Sequence, residues 1–201
     1  MDIRTATTIS RISLFTALIA VGSYIAVPIP GSPVPVVLAN LFAVLAGMVL
    51  GPKAGAASTT LYLMLGLAGL PVFAAGTGGI AHLAGPTGGF LIGYVLAAIV
   101  SGSLLGVLSK RTSFRCTVAG AIAATAGLLT VYIPGVFWMS VVLDLSPAAA
   151  IAAGVIPFLP GDIAKVGAAA IVLPAIERSP VEIAGRFAGS SDEVHSRRQD
   201  A

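Results

Sequence analysis

The chain has 201 residues, of which 57% are hydrophobic and only 9% charged, and its mean hydropathy is +1.00. A soluble domain carries roughly 25% charged residues to cover its surface, so the composition excludes a water-solvated globule and points to lipid as the solvent. The net charge of +3 does not imply nucleic acid, because the charges stand singly or in pairs between long apolar runs instead of clustering on one face.

Residues 1–11 are short and polar, and the apolar run that follows has no Ala-x-Ala cleavage site, so it reads as a first membrane helix and not as a cleaved signal. Six apolar segments are expected, at about 12–27, 36–50, 54–70, 88–108, 118–142 and 148–176, each near the length that crosses a hydrocarbon core of about 30 Å. Between the first two, Pro28, Pro30, Pro33 and Pro35 forbid helix and favour extended backbone. Gly51, Pro52 and Lys53 alone join the second and third, which predicts a tight helical hairpin. The segment from Pro71 to Gly89 is uncharged and too rich in glycine for a regular spanning helix. Irregular backbone at membrane level survives only when buried in protein or lining a cavity, so this segment reads as a lid or a ligand-lining loop. Small residues at four-residue spacing (Gly47 and Gly51, Gly89 and Gly93, Gly102 and Gly106) predict close helix approaches in lipid.

Past Ile176 the chain turns polar, and residues 179–201 are expected to form a disordered cytoplasmic tail behind a membrane domain spanning 1–178. Arg4, Arg11, Lys53, Lys110, Arg111, Arg115, Arg178, Arg186, Arg197 and Arg198 all fall on one side of a six-helix arrangement. The excess of Lys and Arg in cytoplasmic loops then predicts an all-α membrane protein of six transmembrane helices with both termini cytoplasmic.

The eleventh basic residue, Lys165, lies inside the sixth segment three positions after Asp162. Intramembrane charges are costly, at roughly 2.5–3.5 kcal/mol each on insertion scales, and they face the bundle interior. A spacing of i, i+3 puts both on one helix face. The pair either neutralises itself or holds a polar ligand. Pro157 to Gly161 marks a helix start, with Asp162 in its first turn. Catalytic constellations are absent from the sequence. His82 and His195 are the only histidines, too few for a metal cluster or a proton relay, and His82 reads as an incidental loop residue. Cys116, alone, offers no internal disulfide. Gly76 to Ala81 fits a loose G-x-G-x-x-A pattern without the strand and acidic residue of a dinucleotide site, and no phosphate loop occurs. Any ATP-driven step would need another subunit.

A chain of motifs then carries a resemblance. Pro33-Val34-Pro35, Leu45-Ala46-Gly47, Leu50-Gly51-Pro52-Lys53, Gly66 with Gly69-Leu70-Pro71-Val72-Phe73, Gly76-Thr77-Gly78-Gly79, Gly85-Pro86-Thr87-Gly88-Gly89-Phe90, and Pro157-Phe158-Leu159-Pro160-Gly161-Asp162 with Lys165 together resemble the BioY family, the substrate-binding (S) components of energy-coupling-factor biotin transporters. The resemblance runs to about Arg178. It implies a non-enzymatic, multi-pass protein of a prokaryotic plasma membrane, with no cofactor. Such a chain captures biotin under its outer loops and works with a transmembrane coupling (T) subunit and ATPase subunits. Asp162 and Lys165 would contact biotin, with Thr77, Gly78 and Asn40 as further substrate-binding residues. The chain departs from the family pattern at Ala39, where Gln is common, and at Thr77, where some members have Asn. It also has Thr16 with Ala20 where an Ala-x-x-x-Ala surface meets the partner. Within the resemblance, an S component for a related vitamin is one alternative. A self-sufficient, ion-coupled carrier is the competing class, but such carriers show several intramembrane ionisable residues where this chain has one pair.

Overall fold

The computed structural model describes residues 3–111 and 116–177. Arg115, Arg178, Arg186, Arg197, Arg198, His195 and the expected polar tail at 179–201 lie outside the described residues.

Helix α1 (Ile3–Tyr24) ends three residues earlier than the hydropathy suggests. The remaining apolar residues become strand β1 (Ala26–Val27), which pairs antiparallel with β2 (Val36–Val37), Ala26 opposite Val37 and Val27 opposite Val36. The prolines between them account for this: each fixes φ and biases the residue before it towards extended backbone. Gly31, at φ +84°, lies in the reversal. The predicted hairpin follows as α2 (Ala39–Leu50) and α3 (Pro52–Leu67), with Gly51 at φ +84° making the turn and Pro52 in the first turn of α3, where its missing N–H costs nothing.

After the glycine-rich segment, which holds the short helix α4 (Ile80–Ala84), come α5 (Gly88–Arg111) and α6 (Cys116–Val142), the latter with Pro134 in its interior. The expected sixth segment is split. Helix α7 (Pro147–Gly154) starts with Pro147 after Ser146, whose hydroxyl accepts a 3.3 Å hydrogen bond from the Ala149 N–H. The backbone breaks at Val155, a 3-10 turn covers Ile156–Phe158, and α8 (Leu159–Glu177) begins with Asp162 in its first turn. Among the described residues four stretches are long and apolar enough to cross a membrane: Thr5–Tyr24, Gly88–Ser109, Thr117–Val142 and Pro147–Ile176. The other two expected spans, α2 with 12 residues and α3 with 16, are shorter.

Helix α5 packs against α2, α3 and α6, and glycine lets these helices meet backbone to backbone. A Cβ on Gly47 would lie 2.0 Å from the Ala98 carbonyl oxygen, and one on Gly102 would lie 2.4 Å from the Gly47 carbonyl. Gly89 and Gly93 press on Pro134 and Val131 of α6 in the same way. Gly51 and Gly106 have nothing within 4 Å of a built Cβ, so four of the six glycines singled out by spacing make helix contacts. Polar side chains add cross-helix bonds. Ser101 Oγ donates to the Val44 carbonyl at 3.1 Å, and Thr16 Oγ1 donates to the Ser58 carbonyl at 3.1 Å. Thr16 is therefore buried against α3 and is not part of an exposed contact surface. The exposed side of α1 carries Ser13, Leu14, Ala17 and Val21 instead.

Gly47→Ala should lower the thermal midpoint of the detergent-purified protein, at a cost of about 1–3 kcal/mol for overpacking, while Gly106→Ala should leave it unchanged or slightly raised. Thermal unfolding followed by intrinsic fluorescence checks both. Equal effects would contradict the α2–α5 contact.

Candidate functional site

The glycine-rich segment is an ordered cap. Phe73 is fully buried, and Gly66 in α3 makes room for it, since a Cβ there would fall 2.1 Å from the ring. The Phe73 N–H donates to the Thr77 carbonyl at 2.8 Å and closes a small loop, while the Gly79 N–H donates to the Gly66 carbonyl at 2.7 Å. The Phe73 ring meets Tyr62 edge-on at 5.5 Å and stacks on His82 at 5.3 Å. Two further anchors come from distant helices: Tyr24 Oη of α1 donates to the Pro71 carbonyl, and Trp138 Nε1 of α6 donates to the Gly85 carbonyl at 3.0 Å. Backbone polar groups that a helix would satisfy internally are thus met by named partners.

Beneath the cap lie two adjoining narrow chambers. Both are walled by Val34, Pro35, Val37, Phe90 and Tyr94, which form the waist between them. The extended Pro28–Pro35 segment supplies two of these five, Val34 and Pro35, and strand β2 supplies Val37. Tyr94 is only 6% exposed. Its hydroxyl has no hydrogen-bond partner among the described residues, so it is left to whatever fills the cavity.

The chamber nearer the cap adds Ser23, Tyr62, His82 and Thr87. Ser23 Oγ and Tyr62 Oη share a 2.7 Å hydrogen bond. His82 stands between two hydroxyls, with Nδ1 3.2 Å from Thr77 Oγ1 and Nε2 3.2 Å from Thr87 Oγ1. Burial pushes the His82 imidazole below its usual pKa.

The inner chamber adds Asn40, Tyr132, Phe158 and Lys165. Lys165 is 4% exposed and its Nζ donates to Asp162 Oδ1 at 3.1 Å. Asp162 Oδ2 accepts a 2.5 Å hydrogen bond from Tyr132 Oη. An ammonium has three donors. One goes to Asp162, and the others face the chamber beside Asn40, whose Oδ1 is taken by the Leu41 N–H at 3.0 Å and whose NH₂ is unspent. This end of the cavity therefore offers donors and asks for an acceptor.

Of the five residues expected at the site, Asn40 and Lys165 line the inner chamber. Asp162 stands behind it, orienting Lys165 and Tyr132, with its remaining surface towards an outer groove between α6 and α8 lined by Thr125, Leu128, Leu129, Leu159, Ile163 and Val166. Thr77 reaches the cavity only through His82. Gly78 lines neither chamber. A Cβ there would lie 2.2 Å from the Leu70 carbonyl, so it serves the cap. Sequence reasoning missed Tyr94 and Tyr132, whose partners are far away in the chain. It also read His82 as incidental, although Thr77 and Thr87 at five residues on either side were the visible signal.

Bundled apolar helices around a capped cavity, with one buried ion pair among the described residues, define a multi-pass membrane protein. The chain belongs to the BioY family, whose model matches residues 1–180. It is 40% identical over 164 residues to a probable biotin transporter BioY of Pyrococcus horikoshii, covering 82% of this chain and 92% of that one. It is 39% identical over 173 residues to the biotin transporter BioY of Thermotoga maritima, covering 86% and 96%. The fold is similar to the crystal structure of the S-component for biotin from an ECF-type ABC transporter, with a TM-score of 0.81 and 28% identity over 89% of this chain and 95% of that one. These relatives are transporters, and the chain is a membrane transport protein and not an enzyme.

Removing one member of the buried triad should expose the others. Lys165→Met strands the Asp162 carboxylate and should cost about 3–5 kcal/mol. Tyr132→Phe should cost about 1.5–3 kcal/mol, the scale of a hydrogen bond to a charged group. The double change Asp162→Leu with Lys165→Leu should regain most of the loss from Lys165→Met alone. Thermal unfolding of monodisperse detergent samples measures all three, and a double variant less stable than Lys165→Met would refute the pairing.

Proposed function

We propose that this chain is the biotin-binding transmembrane subunit of a vitamin uptake transporter, holding biotin in the two-chambered cavity under the glycine-rich cap. The observation that carries the reading is the buried Lys165 ammonium with unspent donors beside the Asn40 amide. A urea carbonyl is a strong neutral acceptor of the kind these donors lack, and Asp162 supports the contact from behind by holding the Lys165 ammonium in place. The apolar waist suits the thioether ring and alkyl chain.

Translocation in this reading is driven by partners, a transmembrane coupling subunit and a pair of ATPases, since the chain has no phosphate loop. The exposed side of α1, with Ser13 and Ala17 one turn apart, suits close approach by a partner helix. The molecule would cross the plasma membrane six times, with α2 and α3 as the short pair and both termini in the cytoplasm.

Titration of the purified chain with biotin should give saturable binding without nucleotide. Lys165→Met should weaken it by roughly tenfold to a hundredfold, the equivalent of one charged hydrogen bond. Concentrative uptake should require the ATPase partners and fail in Ala17→Trp, which should still bind. Uptake by the chain alone in liposomes that collapses with an ion gradient would establish a secondary carrier instead. Reporters fused after Ser113 and after Arg186 should read cytoplasmic and one near His82 external. An external reading at Ser113 would overturn the six-helix arrangement.

A further inference from the structure

The two chambers differ in the sign of what they can accept. In the inner one, Lys165 is matched by Asp162 at 3.1 Å, so that end is neutral overall. A ligand carboxylate placed there would add a second anion beside Asp162 with one cation between them, which low-dielectric surroundings penalise. The chamber under the cap has no such anion. Its titratable lining is His82 with Tyr62 and Tyr94. Tyr24 of α1 packs on Gly76 of the cap. No Asp, Glu, Lys or Arg among the described residues lines it.

The hydrogen bonds around His82 fix the direction of each proton. Thr77 Oγ1 donates to the Ala74 carbonyl at 2.8 Å, so towards His82 it can only accept, and Nδ1 carries the imidazole proton. Nε2 is then the acceptor, and Thr87 Oγ1 must donate to it. In that state Thr87 has no hydroxyl proton for a ligand. If Nε2 takes a proton, it becomes the donor to Thr87 Oγ1, and the Thr87 hydroxyl proton is left only with the long 3.4 Å bond to the His82 carbonyl, from which an anion in the chamber can draw it.

We propose that His82 and Thr87 form the anion-binding end of the cavity, where a ligand carboxylate is received together with one proton taken up from solvent by His82. This rests on the reading of the cavity as a biotin site and adds its polarity: ureido ring towards Lys165, carboxylate towards His82. No covalent bond changes. The carboxylate stays ionised, the imidazole becomes imidazolium, and the Thr87 hydroxyl turns from Nε2 to the carboxylate. His82 acts as a positioning residue for Thr87 and as the counter-charge. In the free chain, burial opposes charging of the imidazole, and the incoming anion favours it.

The sign of the linkage follows. The imidazole pKa is higher in the bound state than in the free state, so affinity rises as pH falls through that interval, by at most tenfold per unit for one proton. The free-state end of that interval lies below the ordinary histidine value, so titrations run from roughly pH 8 down to about pH 5.

Calorimetric titration of the detergent-purified full chain with biotin, in buffers of different ionisation enthalpy, counts the protons. Up to one proton should be taken up per biotin, with affinity increasing several-fold as the pH is lowered. Biotin methyl ester, whose chain end is uncharged, should bind the unaltered chain with no proton uptake and a flat pH profile. His82→Gln should flatten the profile for biotin itself. Biotin binding with no proton exchange and a flat profile would overturn this role for His82 while leaving the biotin site intact. A proton uptake that persists with the methyl ester would also overturn it. Failure of biotin to bind at any pH would instead overturn the reading of the cavity.

Discussion

A charge buried in a lipid-solvated bundle must be matched or it is expelled, and the Tyr132–Asp162–Lys165 chain is how this molecule meets that demand. The pair spans i, i+3 on α8, and the tyrosine reaches it from α6 at 2.5 Å. The carboxylate has both oxygens engaged and the ammonium does not. That imbalance leaves the ammonium with unspent donors at the lining of the inner chamber, the feature on which the proposed site rests. The break at Val155 and the short 3-10 turn before Leu159 serve the same end. They start α8 inside the bundle, with Asp162 in its first turn, where the N-terminal end of a helix favours a negative charge.

The rest of the fold can be read as what surrounds that chain. Proline forces residues 26–37 into a hairpin, which supplies Val34, Pro35 and Val37 to the cavity wall. Glycine at 47, 89, 93 and 102 draws α2, α5 and α6 together, so the cavity is enclosed by few residues. The cap is held by Phe73 in its Gly66 socket and by bonds from Tyr24 and Trp138. It is thereby tied to α1, α3 and α6 at once, and a shift of any of these helices is felt at the cavity mouth.

Much of this was legible in the sequence, for physical reasons that differ by element. Charge scarcity announced lipid, and the i, i+3 spacing of Asp162 and Lys165 in an apolar run announced a shared face. Their third partner was not legible, because Tyr132 lies 30 residues away and one tyrosine in a hydrophobic helix looks like any other. Hydropathy carried the end of α1 three residues too far, since valine and isoleucine read alike in helix and strand and only Pro28 decides between them. It drew one apolar segment over α7 and α8, while Pro157 to Gly161 announced the restart that the structure shows at Leu159. Spacing of glycines identified Gly47 and Gly102 correctly and Gly106 wrongly, because a four-residue period says which residues share a face and not whether another helix lies against it. The site residues Thr77 and Gly78 were placed on the cap as expected, but their work there is to hold His82 and to clear the Leu70 carbonyl.

Pro134 in the middle of α6 has a mechanical consequence. Its ring removes the N–H that would have closed a hydrogen bond to the carbonyl four residues back, at Thr130, and Gly135 follows it at once. Tyr132 lies inside that unclosed turn. The wall of the inner chamber therefore has a backbone hydrogen bond missing beside the residue that grips Asp162, so a displacement of the tyrosine bends one loosened turn instead of straining a whole helix. The stiff lengths of α6 on either side can then stay in register with α5 while the chamber between them adjusts its width.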